Sequence, residues 1–316
     1  MGLTELQVFS DYLESALSEV QDQKVELFNA ATRNGLILRG GANRGYTTST
    51  LKYELLDGLI QERDPDSTAD VSALDLSRIL ESSVKVTRRV GPVNISPGLW
   101  NYIQRSPDEA GAATAQQATG FIMQNKLNTA VMSLLAATLN VGSDLNLDIT
   151  GETVKTVSLE TLVDASAKFG DRSQSIVCWV MHSKVWFNLV KAAITNSTDL
   201  FKFETINVMS DGLARPFIIS DIPDLKDGST YYTLGLTAGA AVVEENGPIL
   251  FNTETRNLKA NIQRTYQGEY DVNVALKGFK WVGPDKPSDA ALASGANWTA
   301  VPTSIKDMAA VCITSQ

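Results

Sequence analysis

At 316 residues the chain is long enough for two domains or one large one, and a compact fold of that size would keep only about 12,800 Å² accessible. With 43% hydrophobic and 20% charged residues, disorder and fibrous repeats are excluded as the main state. A net charge of -9, from 27 Lys plus Arg against 36 Asp plus Glu, excludes a tight electrostatic grip on nucleic acid. The opening Met1-Gly2-Leu3-Thr4-Glu5 has no basic region leading into an apolar stretch, and no apolar run is long enough to span a membrane. The chain therefore reads as soluble, unexported and made in a reducing cytoplasm. Cys178 and Cys312 are far apart and outside any CxxC spacing, which fits neither a disulfide framework nor a thiolate metal site.

Residues 1 to 33 predict a helix. Leu6, Phe9, Leu13, Leu17, Val20 and Leu27 recur at helical spacing behind Thr4, and Asn34-Gly35 offers the stop. From Leu36 to Ser96 the texture changes: a short strand at Leu36 to Leu38, then Gly40-Gly41-Ala42-Asn43-Arg44-Gly45 read as a hinge, then a polar excursion through Gln61 to Asp70. The chain returns along Ser83 to Val90, which alternates like a strand until Arg88-Arg89. So long a polar detour inside a compact domain reads as an extended loop. Ser106-Pro107-Asp108-Glu109 places a capping residue, a first-turn proline and an acid at a helix start. Met123, Leu127, Ala130, Val131, Leu134 and Leu135 carry the apolar face on to Asn140-Val141-Gly142. Such a helix would be about 50 Å long and implies an elongated, plate-like molecule.

Between Thr153 and Leu236 the pattern is α/β. A helix carrying Leu159, Leu162, Val163 and Phe169 closes at Gly170; a buried strand runs from Ser175 to Met181; a helix capped by Ser183 follows; Pro216 to Ile219 and Tyr231 to Leu236 are further strands. From Ala240 to Val282 come strands that need a partner layer, for which the long helix is the candidate. The final stretch, 283 to 316, reads as a linker and tail ending in Val311-Cys312-Ile313.

Catalytic and ligand-binding patterns are missing. His182 is the single histidine and reads as a packed or hydrogen-bonded side chain, so neither a zinc set nor a Ser-His-Asp or Cys-His arrangement can be assembled around it. The glycine-rich stretch lacks the Gly-Lys-Ser/Thr end of a phosphate loop. Asp221 with Asp224, and Glu244 with Glu245, read as solvated surface acids. Lys85, Arg88 and Arg89 read as charges of a solvated or salt-bridged strand face. No cofactor or metal is expected, and no enzymatic activity.

Several segments, in order, carry a resemblance. They are Phe169-Gly170-Asp171 with Ile176-Val177-Cys178-Trp179-Val180-Met181-His182-Ser183-Lys184-Val185-Trp186, and Arg215-Pro216-Phe217-Ile218-Ile219-Ser220-Asp221. Tyr231-Tyr232-Thr233-Leu234-Gly235 leading to Gly239-Ala240 follows, then Asn297-Trp298 with Thr303-Ser304-Ile305-Lys306-Asp307. Together the chain resembles the major capsid proteins of tailed bacteriophages, whose shared architecture is the Hong Kong 97-type fold. The resemblance implies an α+β fold with an N-terminal arm at 1–35 and an extended loop at 36–96. A peripheral β-rich domain at 97–152 and 239–282 would carry a spine helix at 106–141, with an axial α/β domain at 153–238 and a tail at 283–316.

On this resemblance the chain is expected to assemble with itself, as hexamers and pentamers, into an icosahedral shell around a double-stranded DNA genome. It would be made in the host cytoplasm and reside in the virion. Portal and scaffolding proteins, loose non-specific contact with packaged DNA, and no membrane complete the expected partners. Glu62, Arg63, Asp64 and Asp66 at the loop tip, with Lys85, Arg88 and Arg89, are the expected intersubunit contacts. The alternatives are a bacterial nanocompartment shell and a soluble α/β enzyme.

Overall fold

The computed structural model describes residues 2–41, 45–53, 60, 62, 65–68, 70, 78–103, 107–192, 198–203, 206–210, 215–257, 260–302 and 304–316. In chain order the first half comprises α1 (Gly2–Ala31), β1 (Leu36–Gly41), β2 (Thr47–Tyr53), β3 (Arg78–Ile95), α2 (Pro97–Ile103), α3 (Pro107–Val141), β4 (Asn146–Asp148), α4 (Leu159–Ala167) and β5 (Ile176–Met181). Then come α5 (Ser183–Ala192), β6 (Thr198–Phe203), β7 (Ile206–Ser210), β8 (Pro216–Ile219), β9 (Lys226–Asp227), β10 (Thr230–Thr237), β11 (Ala241–Asn246), β12 (Leu250–Arg256), β13 (Gln263–Leu276) and β14 (Phe279–Trp281). The chain finishes with α6 (Asp289–Leu292), β15 (Trp298–Ala300) and β16 (Ala310–Ser315).

The strands make two mixed eight-stranded sheets. One has the order β1-β11-β13-β3-β14-β15, with β2 also on β3 and β12 also on β13; the other has the order β4-β16-β10-β5-β8-β7-β6, with β9 on β10. The 35-residue α3, about 52 Å long at 1.5 Å per residue, touches β11, β13 and β15 of the first sheet and β16 of the second. Its C-terminal half is therefore covered on all sides. Every residue from Thr129 to Thr138 is buried, so the single apolar face read from the sequence gives way to burial all round. The helix begins at Pro107 as expected; the capping residue Ser106 lies outside the described residues.

The N-terminal segment is a 30-residue helix packed along α3. Phe9, Leu13, Leu17 and Phe28 of α1 are buried, because they form one face of an amphipathic helix laid along α3. The contact is close at Gly111, where an added Cβ would lie 3.1 Å from Tyr12 Cβ and 3.3 Å from the Phe9 carbonyl oxygen. The turn after α1 uses left-handed Arg33 (φ 53°) and Asn34 (φ 57°), one residue earlier than expected. Gly35 is needed for space instead, since a Cβ there would sit 2.3 Å from Cys178 Sγ. Asn29 then closes the open edge of β1: its Nδ2 donates to the Leu38 carbonyl at 2.6 Å and its Oδ1 accepts from the Leu38 N–H at 2.9 Å.

Within the stretch 36–96, read as an extended loop, β1 runs parallel to β11 and residues Val84–Ile95 of β3 pair with β13 in the first sheet, while β2 pairs with β3 alone. β3 also continues through Arg88-Arg89 to Ile95 instead of stopping there: alternation sets Arg88 on the face of buried Val84 and Val86, where it is partly covered, and Arg89 on the opposite, exposed face. The last segment is no tail: β16 is buried at every residue, between β4 and β10. The helix α2 and the β6–β7 hairpin appear where the sequence gave no periodic signal.

The chain exposes 17029 Å², about a third more than the ~12,800 Å² of a rounded globule of this size. Among the described residues no helix is long and apolar enough to cross a membrane.

Candidate assembly surfaces

The β2–β3 hairpin is anchored at its root and bare further out. At the root, Ser82 Oγ accepts from the Trp281 N–H at 2.8 Å, and a Glu81 carboxylate oxygen accepts from the Gly278 N–H at 2.9 Å. Pairing runs from Thr47 opposite Val84 out to Tyr53 opposite Arg78. Near the outer end Leu51 and Leu80 face each other across the strands, 51% and 39% exposed, and beyond them Ile60 is 95% exposed. Glu62 and Asp66 of the acidic stretch are exposed; Arg63 and Asp64 lie outside the described residues.

The basic trio divides. Lys85 Nζ is 2.7 Å from Asp271 Oδ2 and lies over the Tyr46 ring. Arg88 pairs with Asp289, touches Thr129 Oγ1 at 3.4 Å, and keeps only 18% of its side chain exposed. Both are thus held by acids of their own chain. The cause is β3 lying beside β13 and over α3, with acids distant in sequence brought alongside. Arg89 is exposed, at the position across from Glu269.

Two polar features stand out, the first of which the sequence did not single out. Lys126, on α3, is only 2% exposed and pairs with Glu245 of β11; Gln21 of α1 donates to the same carboxylate. Burial, opposed by Glu245 and Asp22, holds the Lys126 ammonium below its ordinary range. One carboxylate therefore ties α1, α3 and the first sheet together. The second feature is His182, which occupies the capping position of α5 that was expected of Ser183. Its carbonyl accepts from the Trp186 N–H at 3.2 Å and its Nδ1 from the Lys184 N–H at 3.2 Å, while Nε2 lies 3.5 Å from Asp221 Oδ1.

Cys178 and Cys312 are fully buried on β5 and β16, and burial pushes both thiols up to about 12, the reverse of what a nucleophile needs. Glu244, read as a solvated acid, is held by Arg39 at 2.6 Å. Among the described residues no three His, Cys, Asp or Glu gather as a metal set.

Two packed sheets, a long helix between them and a protruding hairpin are the Hong Kong 97-type fold of phage capsid subunits. The chain matches the capsid structure of Helicobacter pylori bacteriophage KHP30 with a TM-score of 0.53, at 9% identity, over 89% of this chain and 88% of that one. It matches the cyanophage Pam1 capsid asymmetric unit with a TM-score of 0.51, at 10% identity, over 86% and 85%. The chain belongs to the Gp13-like family, major capsid protein 13-like, whose model matches residues 5–312. It is also 29% identical over 171 residues to the major capsid protein of Bacillus phage SPP1, a match covering 50% of each, so the chain spans half the length of that curated relative. These likenesses favour neither the nanocompartment nor the soluble-enzyme alternative.

Proposed function

We propose that this chain is the repeating subunit of a tailed phage's icosahedral shell, assembling with itself as hexamers and pentamers around double-stranded DNA, without catalysis. The observation that carries the reading is the β2–β3 hairpin, which leaves Leu51, Leu80 and Ile60 bare, a cost that only burial against another molecule offsets. Family membership over residues 5–312 supports the same reading. In it, the hairpin and its acidic stretch around Glu62, Arg63, Asp64 and Asp66 reach a neighbouring copy, with Arg89 as a further contact. The first sheet with α3 forms the peripheral domain, and the second sheet with α4 and α5 forms the axial domain. Many modest contacts repeated around closed rings supply the stability of the shell. The net charge of -9 suits a container whose wall holds DNA loosely, with portal and scaffolding proteins as further partners in the host cytoplasm. Electron microscopy and sedimentation of the purified full chain test it: capsomers, sheets or closed megadalton shells are expected, and a small soluble oligomer at every concentration would overturn it.

A further inference from the structure

Between α4 and the second sheet lies a pocket of about 430 Å³. Its walls are apolar: Leu159, Leu162 and Val163 from α4, Trp179 from β5 and Phe217 from β8. Val163, one of the apolar positions of the helix read from the sequence, is 64% exposed. Arg215 stands among these walls, steered by two long contacts, Nη1 to Ser166 Oγ at 3.3 Å and Nη2 to the Ser173 carbonyl at 3.3 Å. Those contacts use two of the five donors a guanidinium offers. Partial burial, with the charge of Arg33 nearby, lowers the Arg215 pKa. Among the described residues neither arginine is paired with a carboxylate. The pocket therefore offers an apolar pit beside unneutralised positive charge.

The chain carries the complementary pair elsewhere. Ile60, 95% exposed, and Glu62, also exposed, lie two residues apart in the connection between β2 and β3. Six residues lie between the end of β2 and Ile60, a reach of up to about 23 Å. Ile60 is not seated on its own chain, which leaves it open to cover by another copy. We propose that Ile60 and Glu62 of one copy dock into the Val163–Arg215 pocket of a second copy, Ile60 filling the apolar pit and the Glu62 carboxylate meeting the Arg215 guanidinium. The proposal rests on the shell reading and adds to it the place where the hairpin connection lands.

Single-cysteine variants test it. Chains carrying Ile60→Cys and differently tagged chains carrying Val163→Cys are co-assembled and oxidised; both sites are exposed, whereas the native thiols are buried. A disulfide joining the two tags, formed in particles and absent from either variant alone, is expected. Adding Glu62→Arg to the first chain should lower its yield about tenfold or more by setting like charges together, and Glu62→Asp should restore most of it. If particles form but the two tags never join, or Glu62→Arg leaves the yield unchanged, the docking is wrong and the shell reading stands. If a chain carrying both cysteines closes only within itself, the pocket belongs to the same copy and the proposal is overturned. If the unmodified chain forms no particles at all, both readings fall.

Discussion

Replacing Lys126 and Glu245 singly and together separates the worth of their pair from the cost of burying it. Lys126→Met keeps most of the packed stem but leaves the Glu245 carboxylate, 20% exposed, with only the Gln21 amide. Removing one partner of a buried pair costs about 3–5 kcal/mol, and the partial solvation of Glu245 brings this to about 2–3 kcal/mol. Glu245→Leu leaves an ammonium that is 2% exposed without a counter-charge and should cost the full ~3–5 kcal/mol, lowering the melting temperature by about 10 °C. The lowered pKa of Lys126 means that desolvation outweighs the attraction, so the double variant Lys126→Met/Glu245→Leu should melt within about 3 °C of the parent or above it. Scanning calorimetry of the unassembled full chain reads all four. A second signature is pH. Because burial holds the folded lysine below its ordinary range, the unfolded chain binds the proton more tightly. Parent stability should therefore rise relative to the double variant as pH climbs through that lowered value toward about 10.4. Losses in the two single variants that simply add in the double would refute the reasoning.

Other outcomes follow from the packing. Deleting residues 1–33 uncovers the surfaces that hold Phe9, Leu13, Leu17 and Phe28, at about 1.5–3 kcal/mol each, a sum comparable to the whole stability of a domain. The truncated chain should be degraded by protease at concentrations the parent survives; an unchanged melting profile would contradict the docked position of α1. Gly111→Val places carbon against Tyr12 and Phe9 and should cost about 1–3 kcal/mol by denaturant unfolding. Neither cysteine should react with a thiol reagent at pH 8 in the native protein, and both should react on unfolding, since each is fully buried with its thiol pushed up to about 12.

Much of the second sheet and the long helix was legible because their signals are local. Pro107 and the run from Met123 to Leu135 mark α3, and continuous apolar stretches mark β5, β8 and β10. What was hidden depends on partners far along the chain. The parallel pairing of β1 with β11 joins residues about 200 apart, and the short apolar run of β16 looked like a tail because nothing local shows it between β4 and β10. The same distance hides the ion pairs of Lys85 and Arg88, whose acids, Asp271 and Asp289, come from β13 and from the first residue of α6. Lys126 had a faint signal, a lone lysine flanked by Met123, Leu127 and Ala130 on one helix surface. Arg215 had none, because its pocket is made by α4 and β8 coming together.

The buried position of β16 also sets a timetable for synthesis. Its neighbour β10 leaves the ribosome roughly 70 residues earlier, an interval of about 4–15 s at ordinary translation rates. During that wait one flank of β10, bearing Leu234 and Leu236, has no strand to pair with and could recruit a nascent neighbour on the same message. Chaperone holding during those seconds, or fast pairing of β10 with β5 on its other side, would decide how much newly made polypeptide matures instead of aggregating.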